Sequence, residues 1–124
     1  MRINLKATNI ELTLAIQDYV DKKIGGLEKF LDDYNDPSVQ VWVEMGMSSR
    51  HHHKGDIFRA EIQIHLPHYK KGARAVAEGE TLYAAIDNVH EEIKLELSKI
   101  KDRRKSLIKK GARLFKKFLP FLGE

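Results

Sequence analysis

Cysteine is absent from the 124-residue chain, which removes disulfides, thiolate zinc sites and thiol nucleophiles together and suits a reducing compartment. No apolar run approaches the about 20 residues that a membrane span requires. The opening Met1-Arg2-Ile3-Asn4-Leu5-Lys6 also lacks the apolar stretch of a secretory signal, so a cytoplasmic location is expected. Catalytic signatures are missing too: there is no Walker-type phosphate loop, no G-x-G-x-x-G and no G-x-S-x-G elbow. His90-Glu91 opens like a zinc-protease motif, but Lys94 stands where the second histidine would have to be. Glu91, Glu92 and Glu96 are carboxylates at ordinary solvent positions of a helix pattern. These absences speak against an enzyme, a small-molecule substrate and a cofactor.

What is present is material for one domain. Hydrophobic residues make up 42% of the chain and charged residues 32%, enough apolar content for a packed core and against global disorder. The formal net charge of +4 is unevenly placed. Residues 1–100 hold 13 Lys/Arg against 16 Asp/Glu, whereas 101–124 hold 9 against 2. An acidic domain thus carries a basic tail, and segregation of this kind points to a polyanion that touches some faces only.

Ile3 and Leu5 alternate with Arg2, Asn4 and Lys6, as in a short strand with one buried face. Thr13 can cap a helix whose stripe is Ile16, Val20, Ile24, Leu27 and Leu31, with Gly25-Gly26 inviting a kink or a close approach. Turn formers from Asp32 to Pro37 end it. Val39, Val41, Val43 and Met45 mark a second strand, and Ser48 to Gly55 a polar hairpin loop. Phe58, Ala60, Ile62, Ile64 and Leu66 give the cleanest period-two signal. Pro67 stops that strand, and Lys71-Gly72 is read as the turn into a fourth through Ala73, Ala75 and Ala77. Leu82, Ile86, Val89, Ile93, Leu97 and Ile100 then form a helical stripe. It breaks at Arg103-Arg104-Lys105, where a separate basic amphipathic helix begins, with Leu107, Ile108, Leu114, Phe115, Phe118 and Leu122 on one side and Pro120 near its end. The expected fold is α+β, a two-layer sandwich of order β-α-β-β-β-α with a four-stranded sheet and two helices on one face. A domain over 1–101 and a tail over 102–124 are expected.

Several polar features bear on binding. His51 and His53 point the same way in an extended segment and are weak metal candidates, needing a third ligand such as His65 or His68. With Arg50 and Lys54, the same run reads as a polar loop able to donate hydrogen bonds to phosphate. Trp42 falls on the polar side of its strand, where an aromatic can stack on a base, pack an edge or meet a second copy. Arg59, His65 and Arg74 project from the side away from the helices, with Lys70 and Lys71 in the adjoining turn. Together with Arg50, Lys54 and the tail they could line one basic surface for an RNA backbone. Arg59 could instead pair with Glu61 or Glu44 across strands.

Three strings resemble a known family. Asp56–Pro67 (DIFRAEIQIHLP), Ala73–Asp87 (ARAVAEGETLYAAID) and Tyr19–Phe30 (YVDKKIGGLEKF) are similar to ribosome hibernation-promoting factors, also called ribosome-associated inhibitors or ribosomal subunit interface proteins. Leu82–Asp87 is the most specific piece, and the resemblance spans residues 1 to about 101, the short type of the family. It implies a fold related to double-stranded RNA-binding domains. It also implies binding to the small ribosomal subunit and its 16S rRNA over the decoding region and mRNA channel. Such binding blocks mRNA and tRNA and inhibits translation under stress or in stationary phase. The RNA-binding residues it carries over are Lys22, Lys23, Arg74, Lys99 and Lys101. Glu92 and Leu95 depart from basic positions of the family's last helix, and Gly26 from a basic position of its first. The tail cations Arg103, Arg104, Lys109 and Lys110 are therefore expected to act as an added rRNA anchor. The partner expected is the small subunit, with the free protein a monomer and no membrane partner. Alternatives are a general binder of structured RNA, or RNA or membrane-surface docking through the basic tail.

Overall fold

The computed structural model describes residues 1–31, 36–48 and 57–122, with side chains through 117. The elements are β1 (Arg2–Thr8), α1 (Leu14–Gly25), a 3-10 turn (Glu28–Phe30), β2 (Gln40–Ser48), β3 (Ile57–Leu66), β4 (Tyr69–Gly79) and α2 (Leu82–Leu122). The four strands form one sheet in the order β1-β2-β3-β4; β1 runs parallel to β2, and the other neighbours are antiparallel. This is the expected α+β sandwich with its two helices.

Alternation puts apolar side chains on one face of the sheet. Val41, Val43, Met45, Ala60, Ile62, Ile64, Ala73 and Ala75 are buried there, beneath Ile16, Val20 and Ile24 of α1 and Leu82, Ile86, Val89, Ile93 and Leu97 of α2. The opposite face carries the polar set in rows that the register defines. From one end to the other these are Arg2–Gln40–His65, Asn4–Trp42–Gln63–Arg74, Lys6–Glu44–Glu61–Val76 and Thr8–Gly46–Arg59–Glu78.

Local chemistry sets the element ends. The Thr13 hydroxyl accepts from the Ile16 amide at 3.2 Å, capping α1 as its position predicts. The Thr81 hydroxyl likewise accepts from Ala84 N at 3.0 Å at the start of α2. Gly79 lets the end of β4 approach that start closely, since a Cβ there would lie 2.5 Å from the Ala85 amide nitrogen.

Three expectations change. α1 stops at Gly25, with Gly26 as its cap, and Leu27 and Leu31 are buried from a 3-10 turn and the strand-like residue after it. The glycine pair ends the helix outright rather than kinking it. The hairpin between β3 and β4 turns at Pro67-His68, not at Lys71-Gly72, because β4 already begins at Tyr69. Gly72 instead sits in a bulge: Ile64 pairs with Ala73 but Leu66 with Tyr69, so two steps on β3 face four on β4. Gly72 takes φ +63°, and a Cβ there would be 2.5 Å from the Ile64 carbonyl oxygen, which selects glycine.

The third change concerns the tail. The two helical patterns are one helix, α2, unbroken from Leu82 to Leu122. Arg103-Arg104-Lys105 interrupt the apolar stripe without interrupting the backbone, since arginine and lysine are good helix formers. Every residue from 102 to 117 is exposed, and the stretch from 102 to 122 would extend about 31 Å at the α-helical rise.

Candidate nucleic-acid interface

Among the described residues, the candidate cations fall on three separate regions. Lys22 and Lys23 occupy the last turn of α1, where positive charge complements the helix dipole. Facing them across the α1–α2 groove are Tyr83, Asp87 and His90. The Tyr19 hydroxyl donates a short hydrogen bond to Asp87 Oδ1, and Lys23 Nζ lies 3.0 Å from the same oxygen. Tyr19 and Tyr83 meet edge to face, with ring centroids 4.9 Å apart. The Tyr19 hydrogen bond and then Lys23 hold the Asp87 carboxyl below its ordinary range. Asp87 in turn raises the Tyr19 hydroxyl and the Lys23 ammonium, chiefly through the same hydrogen bonds. Lys23 is thereby fixed and charged, while Lys22 is exposed and makes no ion pair among the described residues.

His90 lies beneath this cluster, beside Gly26 and lining the same groove. Both of its ring nitrogens are buried without a hydrogen-bond partner. Burial first, then Lys23 and Lys94, pushes its pKa below the ordinary value of 6.5, so the folded chain holds the ring neutral. The unfolded chain then binds more protons as pH falls below that ordinary value. The contribution to stability is full above it and is lost on acidification through the folded pKa.

The second region is α2 itself. Lys94 pairs with Glu91 at 3.1 Å and Lys99 with Glu96 at 3.4 Å, each one turn away. Lys101 is half-buried, and with Arg104 it lines a small recess against Phe30, Leu66 and His68, where α2 leaves the domain. Beyond it, Lys105, Lys109, Lys110, Arg113, Lys116 and Lys117 are exposed together with Arg103. So are the apolar side chains Leu107, Ile108, Leu114 and Phe115.

The third region is the open face of the sheet. Glu61, only 15% exposed, lies 2.5 Å from Arg74 Nη2 and 3.9 Å from Arg59 Nη2. Arg59 therefore does have Glu61 as a partner, but two residues along the same strand rather than across strands, where it faces Gly46. Lys70 and Lys71 are exposed within the β4 bulge rather than in a turn.

Of the residues expected to line one basic surface, Arg59, His65, Lys70, Lys71 and Arg74 lie on the sheet layer and the tail cations on the exposed extension of α2; Lys22 and Lys23, carried over by the resemblance, are on the helical layer. Arg50, Lys54, His51 and His53 lie outside the described residues. Among the described residues, no three His, Asp or Glu side chains gather as metal ligands. Sequence reasoning missed the Tyr19–Asp87–Lys23 cluster and the buried His90, whose Nδ1 has only Glu91 nearby, at 3.7 Å. Their signal was in plain view: Tyr19 and Lys23 lie in one family-like string, and Tyr83 and Asp87 in another.

Residues 3–105 match the family described as Sigma 54 modulation protein / S30EA ribosomal protein. The chain belongs to this family. It is 30% identical over 105 residues to the ribosome hibernation promoting factor of Escherichia coli, covering 85% of this chain and 98% of that one. It is 28% identical over 103 residues to the ribosome hibernation promotion factor of Lactococcus lactis. That match covers 83% of this chain but only 51% of the relative, so the chain spans about half of the longer member. Among solved structures, the Thermus thermophilus Protein Y N-terminal domain superposes with a TM-score of 0.64 at 31% identity. It covers 81% of this chain and 99% of that one. A ribosomal subunit interface protein from Coxiella burnetii shares the fold, with a TM-score of 0.65 at 16% identity over 82% of this chain and 99% of that one. The family match ends at residue 105, so most of the basic extension of α2 lies outside it.

Proposed function

We propose that this protein binds the small ribosomal subunit through 16S rRNA across the decoding region and mRNA channel, excludes mRNA and tRNA, and so holds ribosomes inactive under stress or in stationary phase. The observation that carries the reading is the α1–α2 groove. The two strings that resemble hibernation factors close on each other there, and they set Lys22 and Lys23 on a rigid helical layer. The near-complete coverage of the E. coli factor supports the same reading for residues 1–101. The role is one of binding in the cytoplasm, without catalysis or cofactor, by a protein that is monomeric when free.

The charge balance assigns a division of labour. The first 100 residues carry more acid than base, and Glu92 and Leu95 on α2 offer phosphate nothing. An acidic domain approaching a polyanion needs cations from elsewhere. The 102–124 extension supplies them, through Arg103, Arg104, Lys109 and Lys110, while Lys99 and Lys101 extend the contact along α2.

In a reconstituted translation system, the protein added before mRNA is expected to suppress synthesis. Added after initiation complexes have formed, it should leave the first round of elongation untouched. The double variant Lys22→Glu/Lys23→Glu should need about ten times more protein for the same suppression. Equal inhibition of ribosomes already elongating would refute occupancy of the mRNA channel.

A further inference from the structure

The open face of the sheet is divided by charge in a way the sequence alone does not reveal. Its acids, Glu44, Glu61 and Glu78, all lie in the last two of the four cross-strand rows, beside Lys6 and Arg59. The first two rows contain no acid. They hold Arg2, His65 and Arg74, and the Gly72 bulge sets Lys70 and Lys71 at the same end. Trp42 stands in the second row, 43% exposed, between Asn4 and Gln63. A shallow groove of about 230 Å³ runs from its ring to Lys70, Lys71 and Arg74. The ring is thus a large aromatic left open on a face that the helices do not cover, with Lys70, Lys71 and Arg74 along the groove on one side of it.

We infer that this half of the sheet is a second nucleic-acid site, which takes a single-stranded segment by stacking one base on Trp42 and seating the adjoining phosphates on Lys70, Lys71 and Arg74. The chemistry fits on each count. An indole face stacks on any base, and cations beside it track the backbone. Gln63 flanks the ring with an amide able to hydrogen-bond a base edge, while Asn4 on the other side donates its Nδ2 to the Val41 carbonyl at 3.4 Å. Glu61 fixes Arg74 through Nη2 and Nε at 2.5 and 2.6 Å, which places that guanidinium without neutralising Lys70 or Lys71. The row order keeps Glu44 and Glu61 to one side of the ring, so a strand would lie toward the bulge. A second copy centred on Trp42 would bring Lys70, Lys71 and Arg74 against their own kind, whereas a single strand meets them with phosphates; a pairing of basic half with acidic half is the outcome that the protein-concentration arm of the test detects. The site is on the layer opposite Lys22 and Lys23, and it does not depend on the ribosomal reading of the helical face.

Trp42 is the only tryptophan in the chain, so its fluorescence reports this site even when RNA also binds the tail. Titration of the full chain with a ten-residue oligoadenylate at low salt is expected to quench Trp42 saturably, with a log–log salt slope of about −2 for three phosphate contacts. Lys70→Glu/Lys71→Glu should weaken that quenching at least tenfold, while Lys29→Glu, an exposed charge reversal on the helical layer, should leave it unchanged. An abasic oligomer of equal length and inorganic polyphosphate should bind without quenching. Absence of quenching at millimolar oligomer, equal quenching by the abasic chain, or an oligomer-independent change that grows with protein concentration would each overturn the proposal; the last would mark a second copy as the occupant.

Discussion

Replacing Arg103, Arg104, Lys109 and Lys110 together with glutamate is expected to weaken ribosome binding about a hundredfold at moderate salt. The reason is counterion release. Each phosphate neutralised by a cation contributes slightly less than one unit to the dependence of log affinity on log salt, so losing four contacts should flatten that slope by about 3.5. The four residues are exposed, or at the rim where α2 leaves the domain, and arginine, lysine and glutamate all favour helix. The variant should therefore keep its fold, and circular dichroism checks that directly. An isolated helix of this length would be marginal in water, but here it grows from a helix already nucleated against the sheet. An unchanged salt slope would remove the tail from the RNA contact.

Ile93→Ala is expected to cost about 2–5 kcal/mol and to lower the melting temperature by roughly 10 °C or more. Ile93 is fully buried in the middle of the α2 stripe, and truncation there leaves a cavity that the sheet and α1 cannot close. Leu107→Ala, on the same helix four turns later, should change stability by less than about 0.5 kcal/mol, because Leu107 is 70% exposed. The pair, measured by thermal unfolding, tests whether the extension stands away from the domain. Equal losses at both positions would mean that it packs against something.

Which parts of this molecule were legible in advance follows from where the determining interactions lie. Period-two alternation through Phe58–Leu66 and the stripe from Leu82 to Ile100 both report one buried face, which is a local property of the chain, and both became the elements expected. The Thr13 cap was equally local. The limit of α1 was not, because the apolar spacing of Leu27 and Leu31 persists after the helix ends, and burial from a 3-10 turn serves the core as well. The β4 bulge is not legible because Lys71-Gly72 reads as a turn, while the positive φ of Gly72 serves a register shift. The α2 extension was divided in two because charge breaks an apolar stripe without breaking a helix. For the site, residue types were readable but their faces were not. Arg74 and Lys23 both looked like RNA contacts, yet they lie on opposite layers, each held by a carboxylate from another element, Glu61 and Asp87. Those pairings span 13 residues and 64 residues of chain, and no local pattern announces them.

The central functional proposal is that the small subunit's mRNA channel is the target. Its most direct test is sedimentation of the full chain with purified small and large subunits at low salt, with and without mRNA and tRNA. The expected result is stoichiometric pelleting with the small subunit alone, reversed when mRNA and tRNA are bound first. Equal pelleting with both subunits, or binding indifferent to mRNA and tRNA, would contradict it.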